Sequence, residues 1–184
     1  MVTLNDKILL RKPDGRDLED LYALKNDEET NALIGGFTTG FSREMIRDWI
    51  LLHINAPDEV LYVIQDLGSN KLIGHVGLYK IDYRIRKAEF AILIGDKEAR
   101  GKGYGKQCTD YMVRYAFEQL NLNKVELSVL STNERAIYIY RTYGFETEGV
   151  LRQAQYKNGR YHDVILMAKF NHLCTYMEQA VTPK

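Results

Sequence analysis

The chain has 184 residues, 25 basic and 25 acidic side chains and a formal net charge of zero, and 45% of it is apolar. That length suits one domain with a substantial core, and the charge balance removes the bulk electrostatic case for a nucleic-acid or anionic-membrane partner, although a local basic patch survives it. The longest apolar runs, such as residues 91–94, are far too short to span a bilayer, Asp6 and Lys7 stand where a signal peptide needs an apolar stretch, and Cys108 and Cys174 make no CxxC pair, so a reduced, cytoplasmic protein is expected.

In chain order, KILLRK (7–12) reads as a first strand and Pro13-Asp14-Gly15 as a turn. Leucines at 18, 21 and 24 have helical spacing within 16–25. Residues 26–39 read as a helix fragment and loop. Ser42 is placed to cap a helix running to about residue 53, with Glu44 in its positive first turn. Strands are predicted over 61–67 and 72–82 with a turn at 68–70, and the near-continuous apolar run within 89–94 predicts a central strand. Then comes ARGKGYGKQ (99–107). Behind it Cys108, Tyr111, Met112, Tyr115, Ala116 and Leu120 form one buried helical stripe. KVELSVL (124–130) alternates as a strand does. Residues 133–143 read as a short helix, with Gly144 where a left-handed terminating residue belongs. Strands over 145–156 and 161–170 flank a turn built on Asn158-Gly159. The tail from Asn171 reads as a surface helix. With no linker or repeat, one domain is expected across 1–184, its core about 7–170 and its tail 171–184.

The glycine-rich stretch carries the first chemical signal. Glycines between a central strand and a helix let backbone N–H groups approach an anion without a Cβ in the way. The first helical N–H groups are unpaired and lie at the positive end of the dipole. Arg100, Lys102 and Lys106 add full charges, so a pyrophosphate is the natural guest. The dinucleotide fingerprint fails because the third glycine comes one residue early. The P-loop fails because Arg100 stands at its first glycine and Gln107 at its hydroxyl residue. A flexible, solvated basic turn is the plainer alternative.

The remaining pattern, Arg100-x-x-Gly103-x-Gly105, resembles the acetyl-CoA loop of the GCN5-related N-acetyltransferases (GNAT). STNERAIYIYRTYGFETEG resembles that family's second signature, with Asn133, Ala136, Tyr140, Gly144 and Phe145 at the family spacing. LIGHVGLYKID is similar to its third strand and AEFAILIGDKEARGKGYG to its fourth strand and loop. The segment EGVLRQAQYKNGRYHDVILMAKF is similar to the branch holding ribosomal-protein N-terminal and spermidine acetyltransferases. The resemblance implies an α/β fold with a mixed, mostly antiparallel sheet flanked by helices, its fourth and fifth strands splayed. It implies acetyl-CoA as cosubstrate and no metal. Backbone groups of Leu93, Ile94 and Gly95 would bond the pantetheine, and Arg100, Gly101, Lys102, Gly103, Tyr104, Gly105 and Lys106 would take the pyrophosphate. Asn133, Ala136 and Tyr140 would line the opposite wall.

Direct attack of an amine on the thioester needs three things. A backbone N–H at Leu93 or Ile94 would hold the oxyanion. Tyr140, at the family's acid position, would give the thiolate a proton; by position alone it is equally a packing tyrosine. Glu89, opening the fourth strand, is the best candidate base, through a water; the alternative is a strand-end carboxylate paired with a lysine such as Lys87. His75 titrates near neutrality but reads first as a satisfied histidine. His162 and Asp163 stand where substrate contact and strand-end polarity are both open. Cys108 reads as core. No His/Cys/Asp/Glu cluster has metal-ligand spacing. In this architecture residues 27–41 and 153–163 set the acceptor. Asp27, Glu28 and Glu29 are acidic, but NALIGGFTTGF is neutral, unlike the acidic loop of the spermidine enzymes. A protein N-terminal amine or a small amine such as an amino sugar is therefore expected. A polyamine and a non-catalytic acetyl-CoA-binding module are the alternatives. A homodimer is common in such folds.

Overall fold

The computed structural model describes residues 1–32, 34 and 40–171. The predicted tail helix, Cys174 and most of the 33–39 loop lie outside the described residues.

Among the described residues eight strands form one sheet: β1 (Val2–Leu4), β2 (Ile8–Arg11), β3 (Val60–Asp66), β4 (Lys71–Asp82), β5 (Lys87–Ile94), β6 (Lys124–Leu130), β7 (Glu146–Lys157) and β8 (Arg160–Phe170). Their order is β1-β2-β3-β4-β5-β6-β8-β7. Every pairing is antiparallel except β5 with β6. The predicted α/β class and mostly antiparallel sheet hold. β1 was not predicted: three residues are too few to show a period. The strands expected to splay as fourth and fifth are thus β5 and β6.

Five α-helices complete the described fold: α1 (Leu18–Asn26), α2 (Glu28–Ala32), α3 (Arg43–Asn55), α4 (Tyr104–Arg114) and α5 (Glu134–Thr142). Ser42 Oγ accepts from the Met45 N–H at 3.1 Å, so the predicted cap of α3 is present. Helices α1 and α3 cover one face of the sheet, where Leu21, Ile46 and Ile50 pack with Val63 and Leu72. Helices α4 and α5 cover the other, with Cys108, Met112, Ala116, Ile137 and Tyr140 packed against Val76, Leu78, Phe90 and Val125. The predicted stripe on α4 is buried at Cys108, Met112 and Ala116, but the α-helix ends at Arg114. A π turn over Tyr115–Gln119 follows, closed by Leu120 N–H on the Tyr115 carbonyl. Among the described residues no helix is long and apolar enough to cross a membrane.

Two local devices shape the centre of the sheet. A β-bulge shifts the β3–β4 register between Ile64 and Gln65. Beside it Gly74 faces Ile94 on β5, and a Cβ on Gly74 would lie 1.9 Å from the Leu93 carbonyl oxygen. Only glycine permits that approach. The second device is a short seam. Strand β5 pairs with β6 only where Lys87–Glu89 meets Lys124–Glu126. Beyond Glu89 the strands part, while β6 stays paired to β8 along its length.

Candidate active site

The gap left by the parting strands is a cleft of about 370 Å³. One wall is Ile92, Leu93 and Ile94 of β5; the other is Asn133, Ala136, Ile139 and Tyr140. Its mouth is the glycine-rich turn. Gly101 and Gly103 sit at φ of +84° and +79°, a region that favours glycine. Gly103 caps α4, and its carbonyl accepts from Gln107 N–H at 3.1 Å. The N–H groups of Tyr104, Gly105 and Lys106 precede the first intrahelical donor, so they are left for a ligand.

The mouth also holds buried polar atoms that lack partners. One end of the Arg100 guanidinium pairs with Glu29, but its Nε and Nη2 have none, nor does Gln107 Oε1. Buried donors without acceptors are uncommon. Two fixed N–H donors beside a helix N-terminus fit a phosphate oxygen. The residues therefore suit the diphosphate of acetyl-CoA. Replacing Arg100 by glutamine should raise the KM for acetyl-CoA about ten- to a hundredfold, the worth of a charge-assisted hydrogen bond or two, with kcat nearly constant. Steady-state kinetics with acetyl-CoA varied will check this.

The predicted loop residues divide. Gly101, Gly103, Tyr104, Gly105 and Lys106 line the cleft with Arg100. The Tyr104 hydroxyl donates to Asp66 at 3.1 Å, which anchors the start of α4 to β3. Lys102 points away, its Nζ 3.8 Å from Asp66. Gly95 is engaged elsewhere. Its N–H donates to the Ile73 carbonyl at 3.0 Å and its carbonyl accepts from Thr30 Oγ1 at 3.4 Å. Strand β4 and Thr30 of α2 take up the backbone bonds expected for pantetheine at that residue. Asn133 caps α5, its side chain accepting from Ala136 N–H at 3.2 Å.

A second cavity, about 530 Å³, lies on the α1–α3 side of the sheet. It shares Ile92, Leu93, Asn133 and Tyr140 with the first, so the two meet through the splay. Tyr140 sits at the junction. It is 8% exposed, and burial pushes its phenol up to about 12. Its ring packs edge-on to Phe90, centroids 6.1 Å apart, and against Phe145 at 5.8 Å. A protonated phenol between two cavities can give a proton to a group leaving in either.

Glu89 lines the second cavity at the last rung before the strands part. Its partner is Lys80 at 2.8 Å; Lys87 instead pairs with Glu126 at 2.6 Å. His75 lines the same cavity and overturns its sequence reading. It is buried, yet both ring nitrogens lack hydrogen-bond partners. Burial, then the charge of Lys25, pull its proton affinity well below the ordinary value, so the ring is neutral. His162 and Asp163 line neither cavity. Asp163 accepts from Gln153 N–H at 2.8 Å and His162 lies 3.4 Å from the Lys157 carbonyl. Gln155, from the same hairpin, reaches the cavity instead.

Two lysines in this region had no sequence signal. Lys157, on β7, is buried and donates to the Asn31 and Ile34 carbonyls, which ties the last hairpin to the segment after α2. Lys25, near the end of α1, has the position of a solvated helix-end cation. Instead it lines the second cavity, its Nζ 4.0 Å from the Trp49 ring centroid. Among the described residues no three His, Cys, Asp or Glu side chains gather as metal ligands would.

Comparison with known proteins agrees with this geometry. Residues 7–146 match the acetyltransferase (GNAT) domain family. A spermidine N(1)-acetyltransferase of Vibrio cholerae serotype O1 is 34% identical over 172 residues, 91% of this chain and 97% of that protein. One from Escherichia coli K12 is 37% identical over 131 residues, 71% of this chain and 68% of that protein. The crystal structure of the Vibrio cholerae spermidine N-acetyltransferase in complex with CoA and spermine superposes with a TM-score of 0.82 at 32% identity, covering 90% of this chain and 96% of that one.

Proposed function

Since the chain belongs to the GNAT acetyltransferases, whose cosubstrate is acetyl-CoA, we propose that it transfers the acetyl group to a primary amine of a small molecule, by direct attack in a ternary complex. The observation that carries this reading is the meeting of two cavities at one phenol. In this proposal the cleft of the glycine-rich turn takes acetyl-CoA, and the turn's backbone N–H groups with Arg100 hold its diphosphate. The acceptor enters from the α1–α3 side. Acetyl-CoA supplies the thioester; the chain's residues do the rest. The free edge of β5 at Leu93 or Ile94 would offer a backbone donor to the carbonyl oxygen. Tyr140 gives a proton to the departing sulfur, and Glu89 takes one from the attacking ammonium through a water. Nothing in this scheme needs a covalent acetyl-enzyme, and buried Cys108, its thiol pushed up to about 12, is a poor nucleophile.

For the acceptor, the spermidine acetyltransferases among the relatives support a polyamine. One observation favours a second reading. Among the described residues lining the acceptor cavity Glu89 is the one carboxylate, and it is already paired. A polyamine carries several ammonium groups that need partners, so an amine of lower positive charge, such as an amino sugar, fits this lining better.

The test is acetyl-CoA-dependent release of free thiol across spermidine, spermine, amino sugars, amino acids and short peptides. Turnover with at least one small amine is expected. Acetyl-CoA at about 100 times its dissociation constant should also stabilise the fold by about 2.7 kcal/mol. Absence of that stabilisation would sink the proposal. Stabilisation without turnover would point to a protein acceptor or to a non-catalytic module.

A further inference from the structure

We propose that Lys25 and His75 form a binding site for an anionic oxygen group on the acceptor, so that the preferred acceptor is a primary amine that also carries a carboxylate or phosphate. The inference rests on the acetyl-transfer reading and narrows its acceptor.

Lys25 is the first observation. Its ammonium lies over two aromatic rings, 4.0 Å from the Trp49 centroid and 5.7 Å from that of Phe41. Among the described residues no carboxylate pairs with it and no acceptor hydrogen-bonds it. Burial pulls its pKa down to about 8, so the charge persists at neutral pH without a counter-ion. Lys25 is half-buried, aromatic faces offset part of its lost hydration, and a partly desolvated cation is stabilised further by an anion placed against it.

His75 is the second, independent observation. Its two ring nitrogens are buried and unpartnered, and the residue lines the same cavity. A neutral imidazole carries one N–H donor and one acceptor, and leaving both unmade is costly. An oxygen anion held by Lys25 supplies what the donor lacks. Strand pairing sets the ring in place: His75 stands opposite Val63 on β3 and Leu93 on β5. The same Leu93 lines the acetyl-CoA cleft, so the anion site and the thioester edge share one stretch of β5.

The charge balance disfavours the opposite ligand. Glu89 pairs with Lys80, and among the described residues lining the cavity Lys25 is the cation without a counter-ion. A second ammonium brought beside it meets like-charge repulsion in a water-poor site. An amine with an anionic tail places its tail on Lys25 and leaves its amine for Tyr140 and Leu93.

The test uses acceptor pairs that differ by one anion: cadaverine against lysine, butylamine against 4-aminobutyrate, and ethanolamine against phosphoethanolamine. The first two pairs report a carboxylate and the third a phosphate. Thiol release by the full chain at pH 7 should favour the anionic member of at least one pair by about tenfold or more in kcat/KM, and Lys25→Met should remove about that much. The KM for acetyl-CoA should not move. Spermidine turnover should rise or hold in the variant. His75→Gln, which keeps a donor and an acceptor, should retain part of the preference and stands in if Lys25→Met does not fold. A preference for the cationic member in every pair, or one unchanged by Lys25→Met, overturns the inference and leaves acetyl transfer intact. No transfer to any amine, with acetyl-CoA stabilisation intact, overturns both.

Discussion

Replacing Tyr140 by phenylalanine is expected to lower kcat by about 10²- to 10⁴-fold, the usual worth of a positioned proton donor. The dissociation constant of acetyl-CoA should stay within about twofold, because an interaction made only as the thiolate forms does not contribute to ground-state binding. Phenylalanine keeps the ring contacts with Phe90 and Phe145, so the core is preserved and the variant isolates the hydroxyl. A phenol pushed up to about 12 looks a poor donor to a thiolate. Burial disfavours a thiolate as it does a phenolate, so a thiolate leaving into the same apolar surroundings would take a proton more readily than it does in water. The sign for pH follows. As the proposed acid, Tyr140 would act in its protonated form, and it keeps its proton up to about 12. Loss of its proton therefore cannot cause a fall in rate at moderately alkaline pH. Thiol release by the purified variant decides the matter, and wild-type turnover would assign the proton to water.

The second large effect is expected at Gly74. Alanine there places a Cβ 1.9 Å from the Leu93 carbonyl oxygen and 2.9 Å from its carbon, a clash with backbone that no rotamer relieves. We expect a loss of about 3 kcal/mol, at the upper end for one added methyl in a packed site, and a melting temperature lower by about 6–12 °C at this chain length. The displaced residue belongs to the edge that lines both cavities. Acetyl-CoA should therefore bind Gly74→Ala more weakly, and its stabilisation of the variant should shrink. Melting curves with and without acetyl-CoA measure both, and a wild-type melt would show that β4 and β5 slide apart freely.

What could be read from the chain was whatever depends on local chemistry. The glycine-rich turn, the Ser42 cap and the Asn158-Gly159 turn are short-range signals, and each is found where its spacing placed it. Failures came where burial is decided by distant residues. His75 reads as an ordinary strand histidine until α3 brings Trp49 and His53 beside it. Lys25 carries no local signal at all, because the Phe41 and Trp49 rings that its ammonium meets come from a later segment. Gly95 looked free for a ligand because nothing local shows that the bulged β4 takes its N–H. The helix after the glycine turn ran short for a different reason. A π turn shifts the phase of the side chains, and a stripe counted at α-helical spacing does not sense it.

The three-rung seam between β5 and β6 has a metabolic consequence. Five strands are joined to three by a short parallel contact, and the space beyond it is the proposed place of a cosubstrate with amide groups of its own. Occupancy then adds to folding stability by mass action. Proteases that attack transiently opened chains act on the unliganded population. The lifetime of the protein in a cell would thus rise and fall with the supply of acetyl-CoA, so that a starved cell would hold fewer intact copies of an enzyme that spends acetyl groups.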